Sequence, residues 1–257
     1  MFRFNSFLKL FGFDLERFKN SFFGLFWYIK DFYRLKAQKN DALFPVGKLY
    51  PVLDEKNNSS GNAKGHYFHQ DLLVARKIYH ASPVKHIDIG SRVDGLISHL
   101  AVFRVVEVFD IRPLNQTVKN IYFKQLDLMS LPKKYINYCD SISSLHAIEH
   151  FGLGRYGDSI DYFGHIKALE NITLMLKSGG VFYFSAPIGK QRIEFNAHRV
   201  FSIRYLLDLF EKNYSVSSFS YVDDEGFLHE NIAVGEGIEN NFGCVWGCGI
   251  FELTKNS

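Results

Sequence analysis

The run Val84–Gly95, VKHIDIGSRVDG, constrains the fold more than any other stretch of the chain. An apolar, strand-like segment ends in an acid and a glycine, and a small polar turn follows. A second strand-like run, RVVEVFD, ends at Asp110. Strand, tight glycine turn, helical crossover, strand and carboxylate is the order in which an open α/β sheet builds a nucleotide site. Gly90 allows close backbone approach, and Asp110 can accept hydrogen bonds from two ribose hydroxyls. A helix-covered sheet without a ligand would share this order.

The alternation continues downstream. IYFKQLD reads as a third strand ending near Asp127, NYCDSISSL as a fourth, VFYFSAPIG as a fifth, and YSVSSFSYV and GCVWGCGIFELTK as the last two. Helical spacing of apolar residues covers roughly 68–79, 161–176 and 202–211. The pattern predicts an α/β, Rossmann-like, seven-stranded, mostly parallel sheet with helices on both faces, the later strands being candidates for antiparallel pairing. Right-handed crossovers fix the early strands as parallel. Residues 65–257 form this domain, and residues 1–64 form an N-terminal aromatic-rich helical arm and linker.

The arm is unusual in composition. The chain has 26 Phe and 14 Tyr, and much of the Phe lies in MFRFNSFLKLFGFDLERFKNSFFGLFWYIKDFY, where Lys and Arg outnumber Asp and Glu. Such a segment can lie in a bilayer interface through residues 1–40, or pack on protein. Gly12 and Gly24 predict two or three short helices rather than one long one. A formal charge of +3 and the lack of a basic stripe beside the expected cleft argue against nucleic acid. Cys139, Cys244 and Cys248 make no disulfide framework. No run is long enough to span a membrane. A reduced, cytoplasmic setting is expected, at the inner membrane face if the arm touches lipid.

The loop after the fourth strand is the richest in chemistry: SLHAIEHFGLGRYGD. His146 and His150 are candidate bases for taking a proton from a hydroxyl, with Glu149 beside them. Arg155 and Tyr156 are candidate substrate contacts. HAIEH also has a metal-like histidine spacing, with His165, Asp158 or His198 as a third ligand. It is not HExxH, and no functional metal is expected. After the fifth strand, GKQRIEFNAHR offers Arg192, with Lys190 and Arg199, for a phosphate. Glu194, Asn196 and His198 alternate, so an extended segment would turn them to one side.

The ensemble resembles the class I S-adenosylmethionine-dependent methyltransferase fold over about Val84–Leu253. The resemblance implies S-adenosyl-L-methionine as cofactor, held by Asp88, Gly90, Ser91 and Arg92 in the first loop, Asp110 at ribose and Asp127 near adenine. LKSGG stands where that fold carries its turn before strand five. Arg92 and Asp94 occupy positions where further glycines would be, so Arg92 is expected at the cofactor's carboxylate or at a substrate phosphate. More narrowly, GHYFHQDLLVARKI, HIDIGSRVDG, EVFDIRPL, SLHAIEHFGLGRYGD and RIEFNAHRVF resemble the DUF268 family of uncharacterised proteins. That similarity implies a methyltransferase-like domain and an acceptor connected with surface-polysaccharide synthesis, a small-molecule or lipid-linked glycan. An NAD-type oxidoreductase, or a non-catalytic protein that retains the fold, is the alternative reading.

Overall fold

The computed structural model describes residues 7–9, 11–38, 43–56 and 58–257. The chain divides into two compact units, Met1–Asn62 and Ala63–Ser257.

In the first unit, helix α1 runs Leu15–Ala37. Asp14 caps it by accepting from the backbone N–H of Glu16 and Arg17 at 3.0 and 3.2 Å. Glu16 at the start and Arg34 and Lys36 at the end complement the helix dipole. Gly24 does not break this helix, contrary to the expectation from sequence. Its missing side chain makes room for the backbone of Leu53, whose carbonyl oxygen would lie 2.0 Å from a Cβ. Gly12, at φ +82°, does sit in a turn before the helix. Phe18, Phe22, Phe23 and Phe26 are exposed along α1. No described helix is long and apolar enough to cross a membrane. The helical expectation for residues 1–6, 10 and 39–40 lies outside the described residues.

The second unit opens with helix α2 (His66–Ala81) and then builds a mixed sheet. Its strands are β1 (His86–Ile89), β2 (Val106–Asp110), β3 (Ile121–Gln125), β4 (Cys139–Leu145), β5 (Leu176–Ile188), β8 (Tyr214–Val222), β9 (Leu228–His229) and β10 (Gly247–Lys255). The hairpin β6 (Arg192–Glu194) and β7 (His198–Val200) stands apart. The order is β3-β2-β1-β4-β5-β10-β8-β9. Strands β1 to β5 are parallel, and β10, β8 and β9 pair antiparallel. The sheet therefore has eight strands where sequence predicted seven. The extra strand is the two-residue edge piece β9, too short for a periodic signal.

Both sheet faces are covered. Helices α3 (Gly164–Met175) and α4 (Ile203–Glu211) pack on Ile87, Ile89, Phe109, Phe182 and Phe184. Helix α2 and the short turn of π-helix and α-helix from Val93 to Ala101 pack on Val106, Val108, Tyr183 and Ile250. Neighbouring residues of one strand thus serve opposite cores, as the period of two requires. The LKSGG segment forms a bulged excursion within β5: pairing steps from Cys139↔Leu176 to Ser141↔Val181, with Gly179 at φ +72°.

Candidate active site

The chain runs from β1 outward to β3 and then returns to β4 on the other side of β1. This reversal opens a crevice beyond the carboxyl ends of the strands, where open α/β sheets bind ligands. The crevice here holds about 320 Å³, within the ~300–1,000 Å³ typical of small-molecule sites. Its walls include Gly90, Arg92, Asp110, Arg112, Asp127, His146, His150, Arg155 and Tyr156. Phe109, Ile111, Leu126, Leu128 and Phe151 supply apolar surface.

Gly90 follows β1 at φ +70°. A Cβ there would come within 2.9 Å of the Ala147 Cβ, so glycine serves both the backbone angle and the approach. Asp110 reaches the crevice already engaged. Arg112 Nε and Nη2 donate to its Oδ1 and Oδ2 at 3.0 and 2.6 Å, and the Arg112 backbone N–H donates to Oδ1 at 2.8 Å. Oδ2 retains a free acceptor site for a ribose hydroxyl. Arg112 also lies over the Tyr156 ring, 4.3 Å from its centroid. Asp127 Oδ1 accepts from the Met129 N–H at 2.8 Å.

Two residues expected at the cofactor lie beneath the crevice. Asp88 is fully buried and accepts from the Ser91 backbone N–H, the Ser91 hydroxyl and the Ser143 hydroxyl. Burial pushes its carboxyl up to about 7 against the lowering effect of these donors. Ser91 in turn accepts from the Leu145 N–H at 3.0 Å. The pair fastens the first loop to β4 and forms no part of the crevice wall. Arg92 does line the crevice, but its guanidinium pairs with Asp94 at 2.6 and 3.0 Å and lies 5.1 Å from the Tyr67 ring centroid.

Beyond β4 the chain turns sharply at His146, φ +50°, into a single 3-10 turn, Ile148–His150. His146 and His150 do not share a helical face as a regular helix would arrange them. They flank Glu149 instead: its Oε1 lies 2.8 Å from His146 Nδ1 and 3.8 Å from His150 Nε2. Burial would raise the Glu149 pKa, but the charge and hydrogen bond of His146, with His150, hold it lowered. Burial opposes a charge on His146; Cys248 and Glu149 outweigh it and hold the imidazole well above its ordinary value. His150 Nδ1 donates to the Ala197 carbonyl at 2.6 Å, and burial lowers its pKa.

The hairpin after β5 contributes less than its sequence suggests. Arg192 pairs with Glu194 and donates to the carbonyls of Lys190 and Val245. It lines a separate hollow with Tyr162 and Tyr205. Asn196 sits at the hairpin tip at φ +63°, so it does not alternate with Glu194 and His198, which face each other across the register. Arg192, Glu194 and Asn196 are therefore absent from the crevice wall. His198 is likewise not part of that wall: its ring lies 6.3 Å from that of His150, and its Nε2 accepts from Trp246 Nε1 at 3.2 Å. Arg199 is buried, with its Nη1 and Nη2 committed to the carbonyls of Phe151 and Tyr162 at 2.6 and 3.0 Å; it braces the loop and holds no phosphate. The other metal partners considered for HAIEH are engaged: His165 Nε2 meets Tyr205 Oη at 2.8 Å, and Asp158, on the crevice wall, accepts from the backbone N–H of Gly152 and Gly154.

Sequence reading missed His66 and Cys248. His66 stacks on His146 with ring centroids 5.2 Å apart and on Trp246 at 4.5 Å. The three segments are remote in sequence, and no local spacing marks their convergence.

Residues 105–230 match the model of a family described as Caenorhabditis protein of unknown function, DUF268. The match covers just under half of the chain. It contains EVFDIRPL, the strand-four loop and the hairpin, and begins after the first glycine loop. No curated protein matches the chain in sequence. Among solved structures, the N-methyltransferase NodS from Bradyrhizobium japonicum WM9, in complex with S-adenosyl-L-homocysteine, superposes with a TM-score of 0.50 at 12% identity, covering 75% of this chain and 89% of that one. The 1,6-didemethyltoxoflavin-N1-methyltransferase of Burkholderia thailandensis, with 1,6-didemethyltoxoflavin and S-adenosylhomocysteine bound, gives 0.51 at 13%, over 73% and 79%. The [4+2]-cyclase SpnF gives 0.52 at 12%, over 77% and 86%. At these identities the likeness shows the fold alone. The cyclase illustrates that one scaffold serves more than one chemistry.

Proposed function

We propose that the chain is an S-adenosylmethionine-dependent methyltransferase acting on a hydroxyl of a small organic acceptor, a sugar or surface-polysaccharide precursor. The observation that carries this reading is the crevice itself. Gly90, Asp110 and Asp127 line it at the switch point of the sheet, with apolar surface between them. The NodS and Burkholderia thailandensis methyltransferase structures that the fold resembles both hold S-adenosylhomocysteine.

The residues present fit the cofactor. The Gly90 backbone leaves room that a Cβ would fill, the free acceptor site on Asp110 suits a ribose hydroxyl, and Ile111, Leu128 and Phe151 offer apolar surface for a base. When bound, the cofactor supplies an electrophilic methyl group. The Arg92–Asp94 pair presents little net charge to a sulfonium. His150 is the base this geometry favours. Its Nδ1 proton is held by the Ala197 carbonyl, so Nε2 keeps a lone pair in a residue that lines the crevice. Its lowered pKa keeps it neutral and able to accept a hydroxyl proton. Glu149 positions both histidines rather than touching the acceptor. Alignment of the nucleophile contributes as much as proton removal.

A phosphorylated sugar suits the acceptor end. Arg155 lines the crevice and donates to the Ala197 carbonyl, with no carboxylate partner among the described residues, so it is available for a phosphate oxygen. Tyr156 lies beside His150, ring centroids 5.2 Å apart. The exposed Phe side chains of α1 support peripheral membrane contact, where a lipid-linked acceptor would be found. Incubation with methyl-labelled S-adenosylmethionine and a panel of nucleotide sugars tests the reading. Label in a sugar product supports it; reduction of NAD by the same panel with no labelled product contradicts it.

A further inference from the structure

His66, His146 and Cys248 form a group whose ligand atoms all lie within 4.8 Å of one another, every member buried. They come from the first residue of α2, the turn after β4 and the second residue of β10. His66 Nδ1 and His146 Nε2 are buried without a hydrogen-bond partner among the described residues. Buried polar atoms are nearly always paired, and an unpaired one calls for a reason such as an absent ion. Two histidines with unpaired ring nitrogens, grouped with one buried thiol, point to a shared ligand with empty orbitals.

We infer that His66, His146 and Cys248 bind one borderline divalent metal ion, of which zinc is the natural representative. Two imidazoles and a thiolate form a donor set that suits zinc and its neighbours and disfavours magnesium or calcium. Metal–donor distances of about 2.0–2.3 Å in a tetrahedral site place donors roughly 3.3–3.7 Å apart, so the widest separation in the present group would contract by up to about 1.5 Å. His146 Nδ1 lies 2.8 Å from Glu149 Oε1, which fixes the tautomer and aims the Nε2 lone pair at the ion. Metal-binding histidines characteristically carry such a carboxylate on the opposite ring nitrogen. The charges also balance: the divalent ion, the Cys248 thiolate and the Glu149 carboxylate sum to zero in a buried place. Binding displaces the weak contact of the Cys248 thiol with Gln70 Oε1, 3.5 Å, and releases both the thiol proton and the Nε2 proton that His146 holds in the metal-free chain.

The ion would tie α2, the strand-four turn and β10 together behind the crevice. That role removes His146 from the candidate bases and leaves His150 in place. The inference stands on these residues whether or not the crevice takes a nucleoside. The test uses the full chain, stripped with a chelator and titrated with cobalt(II). One equivalent should bring up a thiolate-to-cobalt charge-transfer band, and zinc should abolish it. The band should vanish in Cys248→Ser and persist in Cys244→Ser. Glu149→Gln should weaken affinity by about tenfold, while Cys244→Ser leaves it unchanged. Absence of the band in the folded wild-type chain overturns the site, without reference to any variant. A band that survives Cys248→Ser overturns the ligand set. Binding of S-adenosylhomocysteine is measured separately, so failure of one reading is distinguishable from failure of the other.

Discussion

Two buried polar clusters meet the sheet, and they are completed differently. Around β1, both nitrogens of His86 bond to the hydroxyls of Ser141 and Ser143, at 2.8 and 3.0 Å, and Asp88 is enclosed by Ser91 and Ser143. Around the strand-four turn, His66 Nδ1, His146 Nε2 and Glu149 Oε2 have no partner among the described residues. Both clusters are equally removed from water. A cluster whose polar atoms are all paired is framework; one that leaves lone pairs open is reserved for something else. Titratable residues near a cleft are therefore sorted by what they lack.

The comparison breaks most visibly on stability. Asp88→Ala should cost about 3 kcal/mol, because two serine hydroxyls lose their acceptor in a dry site. Glu149→Gln, which keeps an acceptor for His146, should cost less than about 1 kcal/mol. Urea unfolding of the two variants measures both; equal losses would erase the distinction. Catalysis gives the next effect. His150→Gln should lower kcat by about a hundredfold and leave S-adenosylhomocysteine affinity unchanged. An unaltered kcat removes His150 as the base. Acid gives a smaller effect. Burial lowers the His86 pKa to about 3, so the folded chain keeps it neutral while the unfolded chain protonates it below pH 6.5. Its stabilising contribution is complete above pH 6.5 and is lost as pH falls from 6.5 toward 3. Relative to His86→Gln, the wild type should lose about 1.4 kcal/mol per pH unit through that window. A constant difference between the two chains would show that His86 titrates alike folded and unfolded.

What the sequence revealed follows from how local each signal is. The succession of strands from β1 to β5 was legible because apolar runs alternate with helical spacing, and Gly90, Asp110 and Asp127 were legible because they lie at or just beyond the carboxyl ends of strands. Asp88 and Ser91 were assigned to the ligand because a sequence does not tell the two faces of one turn apart. Arg192 and Asn196 were misplaced because the roof segment folds into a hairpin, and the pairing partner of a three-residue strand is invisible to periodicity. Gly24 was read as a breaker because the neighbour that needs its space, Leu53, lies far along the chain. The meeting of His66, His146 and Cys248 is wholly non-local and leaves no spacing to find. Helical structure in the arm was expected from its periodicity, but as shorter pieces than α1, and its lipid contact is a proposal.

The account rests on a nucleoside occupying the crevice against Asp110. Calorimetric titration of the folded chain with S-adenosylhomocysteine, beside NAD, tests that claim most directly. The wild type should bind S-adenosylhomocysteine in preference to NAD, and Asp110→Ala should weaken that binding by about tenfold or more, the loss of a charge-assisted hydrogen bond. No heat of binding from the wild type, or equal affinity in Asp110→Ala, would contradict it.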